Sequence, residues 1–158
     1  MAKIAIPDSN HLMRFVPYTQ QVRDPETDEF KGIANEAFRI RAHDRGGLSL
    51  TWVEHYGSKS IQTYTIAATR FRDSLPSKKV GPKSYFAVGQ AGKTRATAKA
   101  HGKVVRLVHA PDGSNTGHVE LHRFTDEDRM LLDALVIDVF REHVAVADLK
   151  LAAVNQSP

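Results

Sequence analysis

The sequence predicts an α+β fold: a mixed or mainly antiparallel sheet of about five or six strands with one or two longer helices packed on one face. Three observations lead there. Segments of period-two alternation recur along the chain, at 37–42 and from His118 towards Phe124. Clusters of turn-forming residues punctuate the chain beside them, at Asp44-Arg45-Gly46-Gly47 and Pro111-Asp112-Gly113-Ser114-Asn115. A broad apolar stripe, Leu131, Leu132, Leu135, Val136, Val139 and Phe140, follows a strong helix start near the C-terminus. The strands arrive in pairs more than in strand–helix alternation, which disfavours a doubly wound parallel sheet.

Taken in order, residues 7–35 read as irregular or edge structure, with a turn at Asp24-Pro25-Glu26-Thr27-Asp28. Residues 37–42 alternate, with Phe38, Ile40 and Ala42 on one face and Arg39 and Arg41 on the other, so they predict a half-buried strand. Leu48 to Val53 predicts its hairpin partner. Ile61, Tyr64, Ala68 and Phe71 form a helical stripe over 58–73, capped by Ser58 or Ser60, with Lys59, Thr63, Ile66 and Arg70 on the wet side. The β-branched content of that stretch keeps a strand as the alternative. Residues 74–84 hold two prolines and a glycine and read as a loop. Tyr85 to Val88 predicts a short buried strand, 93–101 a short helix ended by Gly102, and Val104 to Val108 a further strand. Val119 and Leu121 point inward from the strand that begins at His118. Thr125 caps a helix that runs to about His143, with Asp126, Glu127 and Asp128 on the positive end of its dipole.

The chain has 158 residues, so one domain is expected over 1–148, with a loosely ordered tail over 149–158. There is no cysteine, which excludes disulfides, thiolate catalysis and cysteine-ligated metal. Pro7, Asp8 and Asn10 interrupt the N-terminal stretch, so no signal peptide is read there, and no apolar run is long enough for a membrane span. A cytoplasmic location is the expectation, with no cofactor, no metal and no membrane contact.

Net charge is +4, unevenly spread. Residues 57–107 hold eleven Lys and Arg against one acid, Asp73, whereas 108–158 hold nine acids against four bases. Such a segment fits a polyanion or an acidic partner, or pairing between the basic and acidic thirds within the fold or across a homodimer. The cations that stand out are Lys78, Lys79, Lys83, Lys93, Arg95, Lys99 and Lys103. Arg95 and Lys99 lie four apart and repel on a helix unless an anion bridges them. Tyr85 or Phe86 would supply stacking to a nucleic acid.

Two sets of residues suggest chemistry. Ala87-Val88-Gly89-Gln90-Ala91-Gly92-Lys93-Thr94 satisfies a relaxed phosphate-loop pattern, with Ala in place of the first Gly and Lys93 and Thr94 as the phosphate-contacting pair. The following helix is short, and too little chain remains for the parallel sheet such a loop normally serves. Glu54, His55, His109 and His118 are the catalytic candidates, imidazoles and a carboxylate suited to acid–base work on RNA. His109, His118, Glu120 and His122 would line one end of the sheet, where Glu54 and His55 could join them. His118 and His122 are about 13 Å apart on a strand, too far to share one metal ion.

Residues 37–39, 48–54 and 108–111 together with His118 resemble a pattern of small bacterial proteins, which implies no particular activity. The leading expectation is a small bacterial-type binding module that contacts RNA, DNA or an acidic protein surface through 78–106. The alternatives are a metal-independent RNase-like or phosphate-binding enzyme using His109, His118 and Glu54 or Lys93 and Thr94, and a toxin–antitoxin or defence-operon subunit acting through a protein partner.

Overall fold

The run Leu12-Met13-Arg14-Phe15-Val16 is apolar on both sides except at Arg14, and such a run suits a strand covered on both faces. In the computed structural model, which describes residues 4–40 and 47–154, it forms β1 (His11–Val16) at the centre of the sheet. The expectation of irregular or edge structure over 7–35 fails here. Pro7, Pro17 and Pro25 obscured a short strand whose apolar character is continuous rather than alternating. β2 (Gln21–Arg23) and β3 (Phe30–Ile33) form a separate hairpin, and Asp24 Oδ1 accepts hydrogen bonds from the backbone N–H groups of Glu26 and Thr27 in its turn.

The main sheet also contains β4 (Leu48–Trp52), β5 (Tyr85–Gln90), β6 (Arg106–His109), β7 (His118–His122) and β8 (Glu142–Ala145). Its spatial order is β6-β7-β4-β1-β5-β8, and every neighbouring pair is antiparallel. With three helices this is an α+β fold. The helices divide between the two faces instead of sharing one. Leu12, Val16, Leu48, Leu50, Ala87, Val119 and Leu121 point to the face covered by α2 (Ala91–Ala100) and α3 (Arg129–Ala134). Met13, Phe86, Val88 and Val144 point to the other face, under α1 (Ile61–Ser74).

α1 starts at Ser60, whose Oγ accepts from the Thr63 N–H at 3.2 Å. Its buried face is Thr63, Tyr64, Ala67, Ala68 and Arg72. Ile61 is exposed and Thr63 buried, the reverse of the simple stripe, because the Thr63 hydroxyl turns back to donate to Ser58 O. α2 ends in a Schellman motif, with Lys103 N–H on Ala98 O at 2.9 Å, Gly102 N–H on Lys99 O at 3.0 Å, and Gly102 at φ +76°.

Two expected elements are replaced. Ala37 and Phe38 belong to a 3-10 turn, Asn35–Phe38, and both are buried, so the described part of the expected strand, 37–40, is not a strand, and 41 and 42 lie outside the described residues. The Ala37 carbonyl accepts from Arg14 Nε at 2.7 Å instead of joining a ladder, and Phe38 packs against Phe140 with ring centroids 4.8 Å apart. Positions 41–46, including most of the expected hairpin turn, lie outside the described residues. The long C-terminal helix is also shorter than expected. Asp128 Oδ2 accepts from the Thr125 N–H, closing a turn, and α3 begins at Arg129. The helix passes into a π turn at Leu135–Val139, and residues 142–145 pair with β5 as an edge strand. The β-branched Val144 suits that strand and packs under α1.

Among the described residues no helix is long and apolar enough to cross a membrane.

Candidate functional site

α1 covers the β1, β5 and β8 side of its face. Beside it, the β4 and β7 side carries polar residues outward: Ser49 and Thr51 from β4, and His118, Glu120 and His122 from β7. Between the C-terminal end of α1 and this part of the sheet lies a cavity of about 660 Å³. Phe15 and Phe71, with ring centroids 5.1 Å apart, form an apolar wall, and Ser49, His118 and Glu120 line it from the sheet. Loop residues Ala110 to Asp112 line another side.

Arg14 reaches this cavity because the sheet opens beside it. β1 and β4 pair at Leu12↔Trp52 and Met13↔Thr51, and the ladder ends there although both strands continue. Arg14 spans the gap, donating from Nε to Ala37 O and from Nη1 to Ser49 O at 2.8 Å. These bonds fix a buried guanidinium at the cavity wall. Gln20, also lining it, is buried, and its side-chain oxygen lacks a hydrogen-bond partner among the described residues. A group left in that state costs about 1–3 kcal/mol, and such costs concentrate where a fold serves function.

His118 is held in one tautomer. Its Nδ1 lies 2.7 Å from the Ala110 carbonyl, which only accepts, so Nδ1 carries the proton and donates. Nε2 then holds the lone pair in the neutral ring, and it has no hydrogen-bond partner among the described residues. Glu120 follows two residues on, on the same face, and its Oε1 accepts from His122 Nε2 at 2.9 Å. Gly47 makes room for that ring, since a Cβ there would stand 2.6 Å from His122 Nε2. The loop that supplies Ala110 to Asp112 is pinned by the fully buried Asn115, whose side chain donates to Thr51 Oγ1 and accepts from Tyr56 Oη at 2.6 Å.

The residues singled out from the sequence separate into several places. Glu54 turns away from the cavity and accepts from the His11 backbone N–H and ring Nδ1, both at 2.7 Å. His55 and His109 meet with ring centroids 5.5 Å apart, beside Trp52. Both hold Thr116: His55 Nε2 at its hydroxyl, 2.9 Å, and His109 Nε2 donating to its carbonyl, 2.8 Å. Partial burial, and then the neighbouring His109, hold the His55 imidazole below its ordinary range. His109 and His118 belong to opposite faces of the sheet by register, so these two histidines do not share one site.

The basic segment is partly neutralised within the fold. Lys83 pairs with Asp28 at 2.9 Å, Lys103 with Asp128 at 3.4 Å, and Arg95 with Asp8 at 2.5 Å, while Arg95 Nη2 also donates to Ile6 O. Lys78, Lys79, Lys93 and Lys99 are exposed. The phosphate-loop pattern has no cradle. β5 passes directly into α2, the N–H groups of Ala91 and Gly92 donate to the carbonyls of Asn10 and Asp8, and Thr94 is buried with its hydroxyl on Gln90 O. The donors a phosphate would need are therefore already used.

Arg14, Ser49 and Asp112 were not singled out from the sequence. The signal for Arg14 was present: one charged residue inside an otherwise apolar five-residue run. Ser49 and Asp112 carry no comparable signal, because only tertiary packing brings their segments together. Comparison of the chain with protein-family models, with curated proteins and with solved structures found no match.

Proposed function

We propose that this domain binds a compact, phosphate-bearing ligand in the cavity between α1 and the β4–β7 side of the sheet. The observation that carries this reading is the convergence of Arg14, Ser49, His118 and Glu120 on one concavity. The Arg14 guanidinium, held by its hydrogen bonds to Ala37 O and Ser49 O, sets a fixed positive charge at the cavity wall. His118 Nε2 and the Glu120 carboxylate accept hydrogen bonds, so they suit hydroxyls beside the anion, as on a sugar phosphate or nucleotide. Phe15 and Phe71 offer an apolar wall. A volume of about 660 Å³ lies within the range of small-molecule sites, roughly 300–1,000 Å³. Lys78 and Lys79 lie outside the cavity, on the loop that leaves this end of α1, and line a second concavity with Arg72, Val146 and Leu149.

Calorimetric titration with a nucleoside monophosphate, alongside inorganic phosphate, tests the reading. Saturable binding by the wild type is expected. It should be lost in Ser74→Trp, which fills the cavity from the last residue of α1 without burying a charge. It should weaken at least tenfold in Arg14→Lys, which keeps the charge but loses the planar fork. No binding, or equal binding by the filled variant, would refute the cavity as the site.

A further inference from the structure

We propose that the cavity cleaves RNA by internal transesterification, with Glu120 as general base and His118 as general acid; this rests on the phosphate-binding reading above. Glu120 and His118 are alternate residues of β7 and project from the same face, so their backbones are about 6.6 Å apart along the strand. That spacing leaves room for one tetrahedral phosphorus group between the side-chain tips. Arg14 lines the same cavity and supplies the cation for the non-bridging oxygens. An acid and a base on one face, with a cation reaching the same cavity through the gap between β1 and β4, suffice when the substrate brings its own nucleophile, and the ribose 2′-hydroxyl is such a nucleophile.

The step balances without a co-reactant. Glu120 takes the 2′-hydroxyl proton as the 2′-oxygen forms its bond to phosphorus. The bond from phosphorus to the 5′-oxygen breaks, and that oxygen takes the proton that Nε2 carries when His118 enters the step as the imidazolium. The products are a 2′,3′-cyclic phosphate and a 5′-hydroxyl. His118 is left neutral and Glu120 protonated, and exchange with water restores both. The Ala110 carbonyl accepts from His118 Nδ1 throughout, so the ring keeps Nε2 as its proton-transferring atom. His122 occupies one Glu120 oxygen and leaves the second for the 2′-hydroxyl. Arg106 stands opposite His122 in the register, is exposed, and adds a cation to the open face.

The experiment uses the full chain in the presence of a chelator, with an end-labelled oligouridylate and its deoxy counterpart, and thermal melts of every variant. The wild type should cut the RNA to ends carrying a 2′,3′-cyclic phosphate and leave the DNA intact. His118→Asn retains a donor for Ala110 O, and Glu120→Gln retains the shape of the carboxylate. Each should slow cleavage at least 100-fold. Should His118→Asn fail to fold, Glu120→Gln alone decides. Absence of cleavage by the wild type, cleavage of the DNA, or undiminished cleavage by a folded variant overturns the proposal. Calorimetry with a nucleoside 3′-monophosphate separates the two levels. Binding without cleavage overturns this inference and leaves the cavity reading standing, whereas absence of both overturns both.

Discussion

Arg95 shows how far a residue's role departs from its charge. On sequence it belongs with Lys93 and Lys99 as one cationic face, and reversing all three should remove anion binding at little cost to stability. In the fold, Arg95 ties the N-terminal segment to α2 through Asp8 and the Ile6 carbonyl, while Lys99 is exposed. The ion pair contributes little, because the Asp8 side chain is 77 % exposed and water screens it. The bond to the carbonyl matters more, and Arg95→Glu also sets two carboxylates against each other. Arg95→Glu should therefore lower stability by about 1–3 kcal/mol, whereas Lys99→Glu should stay within about 0.5 kcal/mol. Urea denaturation midpoints of the two single variants measure the contrast. Equal midpoints would mean that the Arg95 bonds to the Ile6 carbonyl and Asp8 hold nothing in solution. A triple reversal consequently confounds binding with folding, and the cationic positions have to be tested singly or in the exposed pairs.

At the scale of elements, packing between β5 and the π turn depends on a glycine. A Cβ at Gly89 would lie 2.9 Å from the Phe140 ring and 3.0 Å from Val139 Cγ1. Phe140 is fully buried against Phe38 and cannot retreat. Gly89→Ala should cost about 1–3 kcal/mol by overpacking. Gly81→Ala is the control, since its Cβ would meet only Ser84 Oγ at 3.4 Å, and it should change stability by less than about 0.5 kcal/mol. Thermal melts of the pair check this, and matching melting temperatures would show that the π turn yields to the extra methyl group.

The same turn explains much of what the sequence made legible and what it hid. The buried strand at Tyr85 to Val88, the glycine stop at Gly102 and the strand at His118 were readable because local periodicity and capping decide them, whereas α1 was read with a strand as its alternative and Ser58 or Ser60 as its cap. β1 was hidden because a strand covered on both faces has no alternation to detect. The end of α3 was hidden because the helical stripe continues through Phe140, while the gain from pairing residues 142–145 with β5 is purely tertiary. Of the candidate site, His118 was singled out and Glu120 noted beside it, but the gap between β1 and β4 that admits Arg14 has no local signature.

For the whole molecule, the two faces of the sheet separate the cations into groups with different prospects. α2 packs on the face opposite α1, through Ala91 and Ala98, so Lys93 and Lys99 sit across the sheet from the cavity. Lys78 and Lys79 belong to the loop that leaves the cavity end of α1 and line a second concavity beside Arg72 and Leu149. A basic middle third acting as one surface would engage a polyanion through both groups. A polyanion that enters the cavity and runs on along the loop after α1 would use only the second. Fluorescence anisotropy with a labelled oligouridylate, repeated across salt concentrations, distinguishes these cases. Every phosphate that the protein ceases to neutralise lowers the slope of log affinity against log salt by about 0.7 for a single strand. The pair Lys78→Glu and Lys79→Glu should weaken binding and reduce the slope by roughly 1–2. The pair Lys93→Glu and Lys99→Glu should leave affinity within about twofold. The reverse outcome would move the binding surface to the α2 face and leave the cavity with a small ligand alone. Equal weakening by both pairs would instead favour a strand that wraps the edge of the sheet, with charge acting over the whole domain and no single binding surface.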